Sequence, residues 1–304
     1  MKKAIVTGAN GFVGKAVAQY LITQGVDVYA VVRKKATHLD GLEGCHMIEC
    51  DLSDYKNLWK QLPQEADVFF HFAWSGSAGS ARGDEHIQLA NVQSSCDAVK
   101  SAALAGCKRF LFASSIMEYE VEKLMKTHIV PNITTIYSTA KITANYMARA
   151  SAAQAGIEYI SCVISNIYGP GEISPRLISS SLHKMMKGER TSFSSGEQLY
   201  DFIYISDAAT MFYAIGKSGK PNQTYYIGNR HPRKLKDFLI EMHDIAAPHA
   251  EFGLGDLSFD GVSLTYHEFD TDSVYKDTNF VPQVSFAQGI QNTLAWIKET
   301  EAQI

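Results

Sequence analysis

Long hydrophobic runs are missing from this 304-residue chain. No apolar stretch approaches the roughly 18 residues that cross a bilayer. Behind Met1-Lys2-Lys3 only a few apolar or small residues precede a glycine loop, too few for a secretory leader. The sequence therefore predicts a cytoplasmic protein with no membrane partner. An excess of one charge is lacking too: 28 Lys and Arg stand against 32 Asp and Glu, a net charge of −4. Lys2-Lys3 and Lys34-Lys35 are too short to serve as polybasic arms, which argues against nucleic acid held through its phosphates. Cysteine is sparse. Cys45, Cys50, Cys96, Cys107 and Cys162 are odd in number and scattered, with no CxxC pair, so reduced thiols are expected and no metal site.

What is present is an alternation of strand and helix signals. KAIVT (3–7) and DVYAVV (27–32) read as strands, and between them 12–24 carries apolar residues at helical spacing. Strands at 45–50, 67–72, 109–113 and 158–164 alternate with helices at 55–61, 85–105 and 139–155. Several of these strands are continuously apolar, as expected when both faces are covered. The rhythm implies an α/β fold, a Rossmann-type doubly wound parallel sheet. After about Asn166 it breaks at Gly169-Pro170-Gly171. Helices are expected at 176–187, 207–217, 235–245 and 286–298, with strands at 201–205, 224–227 and 264–267. We assign 1–165 to the dinucleotide-binding domain, with 197–228 returning to it. Residues 166–304 mainly form a smaller mixed α/β substrate-binding domain.

The segment Thr7-Gly8-Ala9-Asn10-Gly11-Phe12-Val13-Gly14 spaces its glycines as GxxGxxG between the first strand and the first helix. Glycine lets the backbone turn tightly and approach a pyrophosphate, and the helix N-terminus supplies free N–H groups and partial positive charge. At the end of the second strand, where an acidic residue would bind a ribose diol, stands Arg33, followed by Lys34 and Lys35. Arginine matches a 2′-phosphate, which favours NADP(H) over NAD(H); the alternative is a solvated basic turn. Asp51, followed by Leu52, either accepts from the adenine amino group or caps the next helix. His71-Phe72-Ala73-Trp74 closes the fourth strand beside the cofactor path, with His71 read as a packed residue.

Ser114-Ser115 ends the RFLFA strand, and Tyr137-Ser138-Thr139-Ala140-Lys141 opens the next long helix. A tyrosine and a lysine four apart share one helical face. Strand ends and helix starts on this side of a parallel sheet face the ligand crevice. Hydride transfer at carbon requires proton transfer at oxygen. A phenol serves that purpose if a nearby ammonium favours its phenolate, while a serine hydroxyl orients the reacting oxygen. Ser115, Tyr137 and Lys141 are therefore the candidate catalytic set, Lys141 also reaching the nicotinamide ribose. Glu118, Glu120 and Glu122 read as a solvated edge.

TGANGFVG, Asp51-Leu52, HFAW, Asn91 in the long helix, FASSIMEY, YSTAK, NIYGPGE, DFIYISDAA and GIQNTLAWIK together resemble the extended short-chain dehydrogenase/reductases, in particular their nucleotide-sugar epimerase/dehydratase/reductase group. The resemblance covers nearly the whole chain. It implies that the catalytic hydroxyl lies four residues before a tyrosine, which selects Ser115 ahead of Tyr119. It also implies cofactor contacts from Phe72, Ala73, Trp74 and Asn91, a substrate contact from Asn166 (otherwise a turn residue), and a homodimer joined through the helices near 85–105 and 139–155. The departures matter. Dehydratases of the group follow the catalytic hydroxyl residue with Asp-Glu, and this chain has Ile116-Met117. The cysteine that 3,5-epimerising reductases place just after the serine is absent. Tyr200 stands where the group often has a diphosphate-binding arginine, and a second such arginine near Gly255-Asp256 has no match. Arg176, Arg190, Arg230 and Arg233 are available substitutes. The expected activity is NADPH-dependent reduction of a nucleotide-linked 4-keto-6-deoxysugar. The alternatives are a 4-epimerase that keeps NAD tightly bound, a reductase of a non-sugar carbonyl, and a non-catalytic sensor of the NADP(H) ratio.

Overall fold

The structure, a computed structural model, describes residues 1–34, 39–127, 130–259 and 261–302. Its centre is a seven-stranded sheet built from β1 (Lys3–Thr7), β2 (Asp27–Val32), β3 (Cys45–Glu49), β4 (Val68–His71), β5 (Arg109–Ser115), β6 (Glu158–Ile164) and, from much later in the chain, β11 (Thr224–Ile227). The order is β11-β6-β5-β4-β1-β2-β3, and every pairing is parallel. Strand order reverses between β1 and β4. Crossovers on either side of that point leave a crevice at the strands' C-terminal ends.

Alternation along the strands explains two cores. Ala4, Val6, Phe70 and Leu111 face one layer, with α1 (Phe12–Thr23) and α6 (Ile205–Ser218) packed on it. Ile5, Phe69, Phe110 and Phe112 face the other, covered by α2 (Glu85–Leu104) and α4 (Thr135–Ala155). Small residues on α4 (Ala140, Ala144, Ala148, Ala152) are fully or nearly buried, which lets that helix lie close to the sheet. Gly156, in a left-handed conformation (φ 70°), ends it.

Past β6 the strands are short and paired in twos. β7 (Asn166–Tyr168) lies parallel to β10 (Phe202–Tyr204), β8 (Thr191–Phe193) parallel to β13 (Phe252–Leu254), and β9 (Leu199–Tyr200) antiparallel to β12 (Arg233–Lys234). The helices here are α5 (Leu177–Met186), α7 (Leu235–Ala246), α8 (Ser273–Thr278) and α9 (Phe286–Glu301). The α1–α6 core runs into this half without a break through Ile178, Phe202, Phe238 and Ile290. Two expectations need correction. The strand expected at 264–267 is a 3-10 turn, Tyr266–Glu268, its apolar residues being buried against Tyr226 and Phe269 rather than paired in a sheet. Glu118, Glu120 and Glu122, read as a solvated loop edge, lie instead on a helix, α3 (Glu118–Thr127). No described helix is long and apolar enough to cross a membrane.

Candidate active site

The β1–α1 loop is built around two glycines that no other residue replaces. Gly8 sits at φ +67°, and a Cβ there would meet the Ala73 nitrogen at 2.8 Å, so the loop lies directly on the segment after β4. A Cβ on Gly14 would stand 2.3 Å from the Gly8 carbonyl oxygen. Gly11 is the N-cap of α1 and offers no side-chain acceptor, leaving the first-turn N–H groups to an external anion. Phe12 and Val13, half-buried, start the helix. The Asn10 side-chain amide donates to the Lys34 carbonyl at 3.1 Å and ties this loop to the end of β2, where Arg33 and Lys34 are exposed. Lys35 lies outside the described residues.

Asp51 takes the capping role. Its carboxylate accepts from the Ser53 nitrogen at 3.0 Å and the Ser53 hydroxyl at 2.7 Å, starting the 3-10 helix Leu52–Lys60. Those bonds, and to a lesser degree the nearby Arg33, hold its carboxyl below the usual range. His71 is a packed imidazole, bonded to Thr7 Oγ1 at 2.8 Å and Ser95 Oγ at 3.2 Å. Burial, helped by the positive charge of Lys141, pushes its pKa down to about 3. Asn91 braces the segment after β4: its amide accepts from the Ser75 nitrogen and donates to the Ser75 oxygen, both at 2.8 Å. Trp74 donates from Nε1 to Gln88 at 2.9 Å, and its ring lies beneath Lys141 Nζ, 3.7 Å from the centroid.

Ser115 closes β5, and Tyr137 and Lys141 stand one turn apart at the start of α4. The helix begins at Thr135, four residues earlier than the sequence reading placed it, so the tyrosine is inside its first turn. The structure brings all three together. The Ser115 hydroxyl lies near enough to the Tyr137 phenol to favour its ionised form, and it accepts from the Met117 nitrogen at 3.2 Å. Lys141 Nζ donates to the Ala113 carbonyl at 3.0 Å. Tyr137 and Lys141 are 7% and 6% exposed. Burial dominates both: it raises the Tyr137 phenol, opposed by Arg82, Arg176 and Ser115 in that order, and it lowers Lys141 to about 7, opposed by Glu118. Burial thus favours the protonated phenol, while the nearby Arg82 and Arg176 favour the phenolate.

Glu118 and Glu120 overturn the reading of a solvated edge, because both are buried. Glu118 accepts from the Ser114 hydroxyl and from Asn145 Nδ2 at 2.8 Å; Asn145 in turn accepts from the Tyr159 hydroxyl at 2.9 Å. Glu120 accepts from the Ser138 hydroxyl at 2.6 Å. Two carboxylates of α3 therefore clasp α4 beside Tyr137 and one turn past Lys141. Ser114 faces this clasp and Ser115 faces the phenol, which separates the two neighbouring serines. The charged run EYEVEK carries no periodic signal of burial, so the sequence reading missed it.

Beyond the phenol lies a cavity of about 300 Å³ between the β4–α2 loop and the start of the second half, lined in part by Arg82, Asn166, Glu172, Arg176, Tyr200 and Thr293. The Asn166 amide donates to the Asp201 carbonyl at 3.1 Å. Of the four arginines considered as substitutes, only Arg176 reaches this cavity, pairing with Glu172 at 3.4 Å. Arg190 pairs with Glu251 and Asp256, Arg230 with Asp272 and Arg233 with Glu241. Arg82, which the sequence reading did not single out, stacks on the Tyr137 ring at 4.4 Å and lines the same cavity.

Comparison with known proteins agrees with this arrangement. Residues 4–228 match the NAD dependent epimerase/dehydratase family. The chain is 25% identical to a dTDP-glucose 4,6-dehydratase of Escherichia coli, over 97% of this chain and 93% of that one. Its fold is similar to that of the Bordetella bronchiseptica enzyme WbmF in complex with NAD+ (TM-score 0.78, 20% identity, 99% of this chain and 94% of that one). It is also similar to UDP-glucuronic acid 4-epimerase from Bacillus cereus in complex with UDP-glucuronic acid and NAD (TM-score 0.80, 19% identity, 98% and 99%). With its phosphate loop, parallel sheet and Ser-Tyr-Lys cluster in place, this chain belongs to the NAD-dependent epimerase/dehydratase family of nucleotide-sugar-modifying enzymes.

Proposed function

We propose that this enzyme moves a hydride between a nicotinamide dinucleotide and a ring carbon of a nucleotide-linked sugar. The observation that carries the reading is the grouping of Ser115, Tyr137 and Lys141 where β5 ends and α4 begins, joined to the cavity by Arg82, which stacks on Tyr137 and lines the cavity with Arg176. The glycine cradle (Gly8, Asn10, Gly11, Phe12, Val13, Gly14) fits a pyrophosphate, because Gly8 and Gly14 let the turn close tightly on its own backbone and Gly11 leaves the first N–H groups of α1 without a side-chain cap. Arg33, Asp51 and Leu52 flank the adenosine end. Phe72, Ala73, Trp74, Tyr137 and Lys141 flank the nicotinamide end, with Asn91 behind them. Once bound, the dinucleotide donates or accepts the hydride. In the reducing direction the Tyr137 hydroxyl gives its proton to the carbonyl oxygen, the Ser115 hydroxyl holds that oxygen, and Lys141 and Arg82 stabilise the phenolate left behind.

Despite the likeness to a 4,6-dehydratase, the residues of this site argue against water elimination. Ile116, packed against Val163 and Phe269, and Met117 occupy the positions where an acid and a base are required. The diphosphate falls to the start of α5. Arg176 is its N-cap, no side chain caps that helix, and Leu177, Ile178 and Ser179 line the cavity. This seat takes over from the arginine that Tyr200 replaces.

Arg33 supports NADP(H) and net reduction of a nucleotide-linked 4-keto sugar. A second reading, 4-epimerisation with retained NAD, draws on Asp51, which attracts Arg33 and competes with a 2′-phosphate for it. The purified enzyme decides between them. A site that exchanges freely and prefers NADPH supports reduction, and tightly retained NAD supports epimerisation. Tyr137→Phe is expected to lower turnover by about 10²- to 10⁴-fold with the fold unchanged. Unchanged turnover of every accepted substrate in that variant removes the catalytic reading.

A further inference from the structure

Among the described residues the Arg82 side chain forms no ion pair, and its Nε is left without a hydrogen-bond partner. The residue is half-buried, and its guanidinium lies over the face of Tyr137 at 4.4 Å. The other arginine of the cavity is engaged: Arg176 pairs with Glu172, whose carboxylate also accepts from the Ser174 nitrogen at 2.9 Å and the Ser174 hydroxyl at 2.5 Å. The Arg82 guanidinium borders the cavity, where an incoming anion can meet it, and a ring face satisfies a cation only partly.

The loop that carries Arg82 is held in place. Gln88 is 1% exposed, and its amide donates to the carbonyls of Gly76 at 3.0 Å and Ala81 at 2.9 Å. Gly76 is in the left-handed region (φ +67°), and a Cβ there would meet the Ala81 oxygen at 2.8 Å. The chain thus turns tightly, is clamped on both sides of the turn, and presents Arg82 between the cavity and the reacting phenol.

We propose that Arg82 is the seat of a carboxylate on the sugar ring, so that the natural substrate is a nucleotide-linked uronic acid or its keto form. The inference rests on the nucleotide-sugar reading above and names its substrate class. Position assigns the charge. The diphosphate has its own seat at the start of α5, whereas Arg82 touches the phenol, so the anion that it grips lies at the reacting end of the cavity. On a hexose, the carbon next to the reacting C4 bears the sixth carbon, and a carboxylate there presents two oxygens to the planar guanidinium fork. A 6-methyl group would leave that fork unpaired. The sixth carbon is therefore assigned as a carboxylate in place of the methyl that the sequence reading expected.

The test titrates the dinucleotide-loaded enzyme by calorimetry with matched pairs: UDP-glucuronate and UDP-glucose, dTDP-glucuronate and dTDP-glucose, GDP-mannuronate and GDP-mannose, with UDP, dTDP and GDP alone as controls. On the base that the enzyme accepts, the uronate is expected to bind at least about tenfold tighter than its neutral partner. Arg82→Gln is expected to bring that ratio close to one while leaving the affinity for the bare nucleoside diphosphate unchanged, and Arg82→Lys to keep part of the preference. Equal affinities within every pair overturn the inference and leave the redox reading standing. So does an Arg82→Gln variant that weakens the diphosphate and both sugars alike, since Arg82 would then serve the diphosphate. Failure of every compound to bind overturns both.

Discussion

Three buried residues set the ionisation state of this site, and each has a measurable consequence. Lys141 titrates near 7 because burial disfavours its charge, and Glu118 pulls it upward. Removing that negative charge makes the ammonium harder to keep. In Glu118→Gln the alkaline limb of the kcat/KM profile is therefore expected to move to lower pH, since neutral Lys141 no longer stabilises the phenolate. An unmoved limb would separate Glu118 from the lysine. His71 gives the opposite kind of signal, visible in stability rather than rate. Its folded pKa of about 3 lies below the ordinary 6.5, so between those values the unfolded chain binds a proton that the folded chain refuses. Stability is then expected to fall as pH decreases through this window. The effect is read as Tm against pH: His71→Asn should have a lower Tm at neutral pH but a shallower decline towards about pH 4. Parallel curves for the two proteins would show that another group drives the acid limb.

Among the elements, the β1–α1 turn is constrained by close backbone contacts at Gly8 and Gly14. In Gly14→Ala the added carbon would stand 2.3 Å from the Gly8 carbonyl, a backbone atom that cannot swing aside as a side-chain tip does. The loop must open, and dinucleotide affinity is expected to fall at least tenfold. Overpacking should lower stability by about 1–3 kcal/mol. Fluorescence titration with NADH and NADPH reads the first effect and thermal melting the second; wild-type affinity in a folded variant would sink this account of the cradle. Elements of this kind were legible from sequence because their signals are local. The strands 27–32, 158–164 and 224–227 fall where continuous apolar runs place them, and Tyr137 and Lys141 meet Ser115 because strand ends and helix starts share one edge of a parallel sheet. The reading lost accuracy where burial is decided at a distance. Glu118 and Glu120 are charged and look solvated until Asn145 and Ser138, from a helix later in the chain, supply their hydrogen bonds. Arg82 has no motif, and its importance comes from the ring of Tyr137, 55 positions away along the chain and 4.4 Å away in space. The strand expected at 264–267 had the right composition and no neighbouring edge to pair with.

At the scale of the whole molecule, the remaining question is what covers the outer faces of α2 and α4. These helices pack against each other over the sheet, yet Leu89 on α2 is 64% exposed, and Tyr146 and Met147 on α4 are 67% and 50% exposed. Isolated apolar residues on a surface mean little, but large ones on two adjacent helices are suited to a second pair of helices. We propose that two copies associate there as a homodimer. Because α4 carries Tyr137 and Lys141 on its inner side, such an interface would brace the helix that positions them. Light scattering at micromolar concentration is expected to give twice the 33.6 kDa chain mass. The double variant Leu89→Arg, Tyr146→Glu should give the monomer, with a Tm that is lower and no longer rises with protein concentration, because only an associating species is stabilised by mass action. If the wild-type protein is already a monomer under these conditions, α2 and α4 face water and the proposed bracing of the catalytic helix is wrong. If the variant dissociates but keeps full turnover, the clasp from Glu118 and Glu120 is sufficient to hold Tyr137 and Lys141 in register within a single chain.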